Sequence, residues 1–173
     1  GQILVVDDEP QNCCFLSDLL REQAYRVHTA ESGERALALV RGIAQETRLD
    51  LILLDVLMPG GIDGIETCRR LKAFENLRNT PVIFLTGHAD VPTAVDMVKR
   101  GAFDFCEKPF SDNALVDRVE EALALVVVEA LAADGDGDDL RAAGIQGFAH
   151  HRVVGVLAGA DNQSAPQRMT ADC

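Results

Sequence analysis

The feature that most constrains the fold is a fivefold alternation of short apolar runs with longer segments of helical periodicity. The apolar runs read as strands and cover residues 2–6, 25–30, 50–55, 81–86 and 103–106. After each run, apolar residues recur three and four positions apart, as they do on one face of a helix. Five such units predict an α/β fold, doubly wound, in which helices cover both faces of a five-stranded parallel sheet.

Residues that favour helix ends support this division. Pro10 suits the first turn of the helix that follows the first strand. Ser32 and Ser111 are of the type that caps a helix amino terminus, and Gly101 fits the end of a helix over residues 91–100.

The sequence predicts the bounds of two helices and the buried faces of two others. The third helix is expected over residues 64–74, and the last runs from Ser111 to about residue 132. The residues expected on the buried faces of the first two helices are Phe15, Leu16, Leu19, Leu20, Ala36, Leu37, Leu39 and Val40.

Composition limits the classes of function. The chain has 173 residues, which suits one ordinary domain with an appendage, or at most two small domains. Its formal net charge is −12, so it repels nucleic acid and anionic membranes. The excess of acidic residues can belong to a solvated surface, or some of these residues can form a cation site.

Cysteine content and hydropathy point to a reducing compartment. The five cysteines are odd in number and lack CxxC spacing, so we expect reduced thiols and no zinc site. No apolar run approaches the roughly 18 residues that a membrane span needs, and no signal peptide is visible. A cytoplasmic location is the expectation.

Polar side chains stand where the predicted strands end. Asp7 and Asp8 follow the first strand, Asp55 ends the third, Thr86 ends the fourth and Lys108 follows the fifth. The carboxyl ends of parallel strands meet at one edge of a sheet, so these groups are expected to converge.

This convergence has a chemical meaning that a single residue lacks. A lone Asp at a strand end is usually a turn or cap residue, but five such groups at matching ends are hard to assign to chance. Three carboxylates close together repel one another unless a cation neutralises them, and oxygen ligands suit Mg²⁺. A carboxylate beside Mg²⁺ and a lysine is a good acceptor for a phosphoryl group.

Four stretches with these residues resemble the receiver domains of bacterial two-component response regulators, most closely the FixJ/NtrC type. They are VVDDEP (5–10), LILLDVLMPGGIDG (51–64), VIFLTGHADVPTAV (82–95) and GAFDFCEKPF (101–110). The resemblance covers residues 1–131 and implies a flavodoxin-like sheet with strand order 2-1-3-4-5.

The resemblance also implies a role for each residue of the acidic group. Asp55 resembles the phosphate acceptor, and Asp8 resembles a direct Mg²⁺ ligand. Asp7 would hold a metal-bound water, and the backbone carbonyl of Leu57 would complete the protein ligands.

The remaining implied roles concern the phosphoryl group and the switch. Thr86 and Lys108 would contact phosphoryl oxygens. Phe105 matches an aromatic switch position that responds when Thr86 moves, although it can equally be a core residue. Leu57 and His88 would flank the phosphoryl group.

Two backbone features near the site follow from the same comparison. The family implies a cis bond between Lys108 and Pro109, although most bonds before proline are trans. The loop after Asp55 holds one residue more than usual, in Gly60-Gly61. Glycine tolerates unusual dihedral angles, so the loop is expected to remain functional, with a possible shift of the Leu57 carbonyl.

Composition changes in residues 132–173, which we interpret as an acidic linker and a truncated or decayed output segment, largely disordered. The run over 134–139 lacks the glycine and the glutamate of a calcium loop, so a flexible linker is the better interpretation. Residues 153–163 faintly resemble the start of a LuxR-type helix-turn-helix domain. Three basic and six acidic residues give this segment a charge of 3 − 6 = −3, which disfavours DNA binding.

Three hypotheses for the function follow. In the first, a sensor histidine kinase phosphorylates the chain, and the fourth helix, fifth strand and fifth helix form a face for a partner or a homodimer. In the second, the chain is a DNA-binding transcription regulator with an incomplete output domain. The third, a hydrolase with Asp55 as nucleophile, lacks a substrate cap, so we expect a switch and not an enzyme.

Overall fold

The computed structural model describes residues 1–42, 48–87, 91–99 and 102–133. Strands and helices alternate throughout these residues. In chain order they are β1 (Gln2–Val6), α1 (Pro10–Glu22), β2 (Arg26–Ala30), α2 (Gly33–Gly42), β3 (Leu51–Asp55), α3 (Gly64–Leu71), β4 (Val82–Thr86), α4 (Val91–Lys99), β5 (Asp104–Glu107) and α5 (Asp112–Ala133). The proposed division of the chain at residue 131 stays a prediction, because residues 134–173 lie outside the described part.

The five strands form one parallel sheet in the order β2-β1-β3-β4-β5. This confirms the predicted α/β architecture and its strand order. The order reverses between β1 and β3, where Val6 pairs with Leu54. In open parallel sheets, a reversal of this kind leaves a crevice beyond the carboxyl ends of the two strands.

The core lies on both faces of the sheet. Strand β3 is buried along its whole length, which explains why its sequence is continuously apolar up to Asp55. Alternate side chains of β1 and β3 enter opposite clusters. One face packs against residues of α2 and α3, and the other against residues of α1 and α5: Ala36, Leu37, Val40, Cys68 and Leu71 in the first, Leu16, Leu20, Leu115 and Val119 in the second.

Helix α1 departs from its predicted buried face. Phe15 is 46% exposed, so its assignment to the core was wrong. The buried positions are Cys13, Leu16, Ser17 and Leu20. They recur at the helical spacing of three, four and seven, and Phe15 stands one residue outside that stripe. Leu19 of α1 and Leu39 of α2 are partly buried beside the two clusters.

The third helix is shorter than predicted. It ends at Leu71 and not at residue 74, and a 3-10 turn over Glu75–Leu77 follows. Leu77 is fully buried, so this turn places an apolar side chain in the core.

The predicted caps of α2 and α5 are confirmed. The hydroxyl of Ser32 accepts the amide of Arg35 at 3.2 Å, and that of Ser111 accepts the amide of Ala114 at 3.3 Å. Gly101 lies outside the described residues, so its role as a helix end stays a prediction.

The described cysteines are free thiols. Cys13, Cys68 and Cys106 are buried, and Cys14 is exposed. Burial raises the pKa of the Cys13 thiol to about 11, which keeps it protonated at neutral pH.

Candidate functional site

The ends of four strands bring the predicted site residues to one edge of the sheet. Asp7 follows β1, Asp55 ends β3, Thr86 ends β4 and Lys108 follows β5. The parallel register keeps these strand ends side by side, since Asp55 pairs with Leu85 and Thr86 pairs with Glu107.

Lys108 connects two of the carboxylates. Its Nζ donates to Oδ2 of Asp7 and to Oδ2 of Asp55, both at 2.9 Å. The backbone amide of Lys108 donates to the carbonyl of Thr86 at 2.7 Å, which ties the start of the next loop to β4. The Lys108–Pro109 bond is cis, as the sequence comparison implied.

Asp7, Asp8 and Asp55 form a compact acidic group. One carboxylate oxygen from each lies within 4.8 Å of the others. Asp7 is fully buried and Asp55 is 7% exposed, so water screens their repulsion poorly. Their donor set consists of oxygens only, and a hard divalent cation such as Mg²⁺ matches it.

Burial and the Asp55–Lys108 contact act in opposite directions on the ionisation of these two residues. Burial raises the pKa of Asp55 above its ordinary value, Lys108 opposes part of the rise, and Asp7 adds to it. For Lys108, burial alone would lower the pKa, but the hydrogen bonds to Asp7 and Asp55 outweigh it and raise the pKa. Lys108 is therefore a fixed positive charge at neutral pH.

Leu57 lies beside the acceptor carboxylate. Its backbone amide donates to Oδ1 of Asp55 at 3.3 Å, and its side chain is largely in solvent, with the residue 57% exposed. The role of its carbonyl as a metal ligand stays a prediction. His88 lies outside the described residues.

Thr86 and Phe105 occupy neighbouring strands. Thr86 is fully buried, and its hydroxyl donates to the carbonyl of Gly87 at 3.1 Å. Phe105 pairs with Phe84 in the β4–β5 register and packs, partly buried, against the core on the α2 and α3 side. A switch role for both residues stays a prediction.

The lengthened loop after Asp55 is tied to α2. Gly60 has a φ of +95°, which favours glycine. The amide of Ile62 donates to Oε1 of Glu34 at 2.9 Å, and this bond lowers the pKa of Glu34. A Cβ at Gly61 would lie 2.8 Å from the Glu34 carboxylate. The extra residue is thus accommodated where the loop meets α2.

Sequence reasoning missed two residues near the site. Asn12, in the first turn of α1, donates through Nδ2 to both oxygens of Asp7 at 3.1 and 3.2 Å. Glu34 holds the loop as described above. Polar residues in the first turns of helices are common, so the sequence carries no distinctive signal for either contact.

Known proteins resemble the part of the chain that forms this site. A family model described as "Response regulator receiver domain" matches residues 3–120. The transcriptional regulatory protein ZraR of Klebsiella oxytoca is 42% identical over 122 residues, which are 70% of this chain and 26% of that protein. FixJ of Bradyrhizobium diazoefficiens is 37% identical over 123 residues, covering 71% of this chain and 57% of FixJ.

A solved receiver domain shares the fold. The response regulator receiver domain protein of Clostridium thermocellum superposes with a TM-score of 0.66 at 28% identity, over 74% of this chain and 98% of that one. The match spans 26% of the length of the ZraR-type relatives. The activities of those whole proteins are therefore not assigned to this chain. Among the helices that the structure describes, none is long and apolar enough to cross a membrane.

Proposed function

The chain belongs to the response regulator receiver domain family, and from this premise we propose that it is a phosphorylation switch of a two-component system. In the proposed reaction, Asp55 accepts a phosphoryl group from a phosphohistidine of a sensor kinase. The observation that carries the proposal is the contact of Asp55 with Lys108, together with its place in one compact group with the carboxylates of Asp7 and Asp8.

The proposed transfer is a displacement at phosphorus. A carboxylate oxygen of Asp55 forms the new P–O bond as the P–N bond to histidine breaks, and the bonding pair leaves with the imidazole nitrogen. The reaction places negative charge on the oxygens of the transferring group. Donors and cations that face those oxygens in advance lower the barrier, because they need no rearrangement during the reaction.

Lys108 and Thr86 are the proposed protein donors. The Lys108 ammonium already contacts Oδ2 of Asp55, so it can pass to a phosphoryl oxygen on that carboxylate with little movement. The Thr86 hydroxyl donates to the neutral Gly87 carbonyl and would exchange this acceptor for a charged phosphoryl oxygen.

Mg²⁺ is the proposed cofactor, and the donor chemistry of the site fits it. Bound there, it would neutralise the carboxylates and the transferring oxygens. We assign Asp8, Asp55 and the Leu57 carbonyl as its direct protein ligands, with Asp7 acting through a bound water. The compact grouping of the three carboxylates supports this assignment.

Movement of Thr86 toward the phosphoryl group is the proposed trigger of the switch. It would release space beside β4, into which Phe105 can turn from its half-buried position. The face formed by α4, β5 and α5 would then change, and it is the proposed surface for a partner protein or a homodimer.

The chain is proposed to act as a switch without enzymatic turnover, in the cytoplasm. A DNA-binding regulator is the second candidate, because ZraR and FixJ are transcriptional regulatory proteins. The charge of −3 over residues 132–173 weighs against a DNA-binding surface in this part of the chain.

The test of the proposed roles is labelling by a small phosphodonor with and without Mg²⁺. We expect Mg²⁺-dependent labelling of the native chain, strong loss in Asp8→Asn, and slower labelling in Lys108→Met. Arg35→Met, at an exposed arginine of α2, is the matched control and should label as the native chain does. Equal labelling with and without Mg²⁺ would contradict the proposed cofactor.

A further inference from the structure

Protein donors contact both oxygens of the Asp7 carboxylate. Oδ1 accepts the Glu9 amide at 2.9 Å and Asn12 Nδ2 at 3.1 Å. Oδ2 accepts Lys108 Nζ at 2.9 Å and Asn12 Nδ2 at 3.2 Å. Asp7 is also fully buried, so bulk water does not compete for these positions.

The geometry leaves Asp7 little capacity for a metal ion. Each oxygen of an ionised carboxylate offers about two lone-pair directions, so Asp7 can accept about four hydrogen bonds. Three protein donor atoms already face it, and Asn12 Nδ2 is shared between the two oxygens. A cation that bound Asp7 directly would have to compete with these donors, whereas the remaining direction can accept a hydrogen bond from a metal-bound water. Asn12 is the donor common to both oxygens. It therefore restrains rotation of the carboxylate and also stabilises its negative charge.

Asp8 is in a different situation. It is partly exposed, and within the part of the chain that the structure describes its carboxylate has no side-chain hydrogen bond. Its oxygens can therefore turn to a cation without breaking a side-chain hydrogen bond to any residue that the structure describes. The two adjacent aspartates are thus distinguished by their hydrogen-bond partners, although they are the same residue type.

We propose that Asn12 is a specificity-determining residue for the cation, because it keeps Asp7 bound to protein donors and outside direct coordination. The inference rests on the metal site of the proposed function. Two carboxylates with several waters suit Mg²⁺, which dehydrates reluctantly and keeps near-ideal octahedral geometry. A third carboxylate free to coordinate would favour Ca²⁺, which takes six to eight oxygen ligands in flexible geometry.

The test replaces Asn12 with a residue of similar size that donates no hydrogen bond. In Asn12→Leu, calorimetric titration should show Ca²⁺ binding strengthened about tenfold and Mg²⁺ binding changed by less than about threefold. The ratio of the two dissociation constants is the decisive quantity, because a general loosening of the site would weaken both ions together.

Two further variants keep the result interpretable. Gln11→Leu changes the exposed neighbour in the same helical turn and should leave both affinities at their native values. Asn12→Ala only removes atoms, so it should reproduce the shift in the ratio even if leucine disturbs folding.

An unchanged ratio in both Asn12 variants, or an equal loss of affinity for both ions, would overturn the inference. If the native chain binds Mg²⁺ and takes up phosphate, this failure leaves the proposed function intact. A native chain that binds neither ion would overturn both the inference and the proposed metal site.

Discussion

The ammonium of Lys108 lies 2.9 Å from Oδ2 of Asp55, although 53 residues separate the two in the chain. Strand β4 lies between the strands that deliver them, so the sheet brings together residues that local sequence does not. The contact places a fixed cation against a carboxylate whose charge is otherwise destabilised by burial. Stability and function therefore depend on the same pair.

Removing the Lys108 charge should destabilise the fold. In Lys108→Met, the buried carboxylates of Asp7 and Asp55 lose their shared cation, and we expect the free energy of unfolding to fall by about 2 kcal/mol. Urea denaturation at neutral pH measures it. Lys99→Met, at an exposed lysine of α4, is the control and should change stability by less than about 0.5 kcal/mol. Equal effects from the two variants would contradict the account.

Neutralising Asp55 should have the opposite effect, in a pH-dependent way. Burial raises its pKa, so the folded chain binds the proton more readily than the unfolded chain, and the ionised group opposes folding above the raised pKa. Without divalent cations, Asp55→Asn should be more stable than the native chain at pH 7. This advantage should shrink as the pH falls through the raised pKa toward the ordinary value of 3.8. Denaturation curves across this range measure it, and an advantage that grows at low pH would show the sign to be wrong.

Gly64 is expected to be irreplaceable for a steric reason. A Cβ at this position would lie 2.0 Å from the backbone oxygen of Asp55, so Gly64→Ala should cost about 3 kcal/mol of stability. Gly42, the last residue of α2, offers the matched control, since a Cβ there meets no described atom within 4 Å. Gly42→Ala should be neutral or stabilise by about 0.5 kcal/mol. Thermal unfolding compares the two, and similar melting temperatures would refute the steric argument.

Glu34 should protect the loop after Asp55 from local opening. Its carboxylate accepts the Ile62 amide, so Glu34→Ala should increase hydrogen exchange at that amide several-fold. The same bond lowers the pKa of Glu34, so the contribution is present above the ordinary pKa and is lost as the pH falls through the lowered one. Arg35→Ala, at the neighbouring exposed residue, should leave exchange at Ile62 unchanged. Native-like exchange in the Glu34 variant would show that other contacts hold the loop.

Much of the fold followed from the sequence because strand burial leaves a direct signature. Continuous apolar runs identified buried strands such as β3, and polar residues at their ends predicted the convergence of Asp7, Asp55 and Lys108. The contacts of Asn12 and Glu34 carry no such signature. They depend on the rotation of a helix and the path of a loop, which periodicity does not specify. The exposure of Phe15 was missed for the same reason, since one residue of offset turns a side chain about 100° around α1.

The most direct test of the central claim is the site of phosphorylation. The native chain and Asp55→Asn are incubated with a small phosphodonor and Mg²⁺, and the intact mass of each is measured before hydrolysis. We predict a gain of one phosphoryl group in the native chain, abolished by excess chelator, and none in Asp55→Asn. An equal gain in Asp55→Asn, or no gain in a native chain that binds Mg²⁺, would contradict the claim that Asp55 is the acceptor of an active receiver domain.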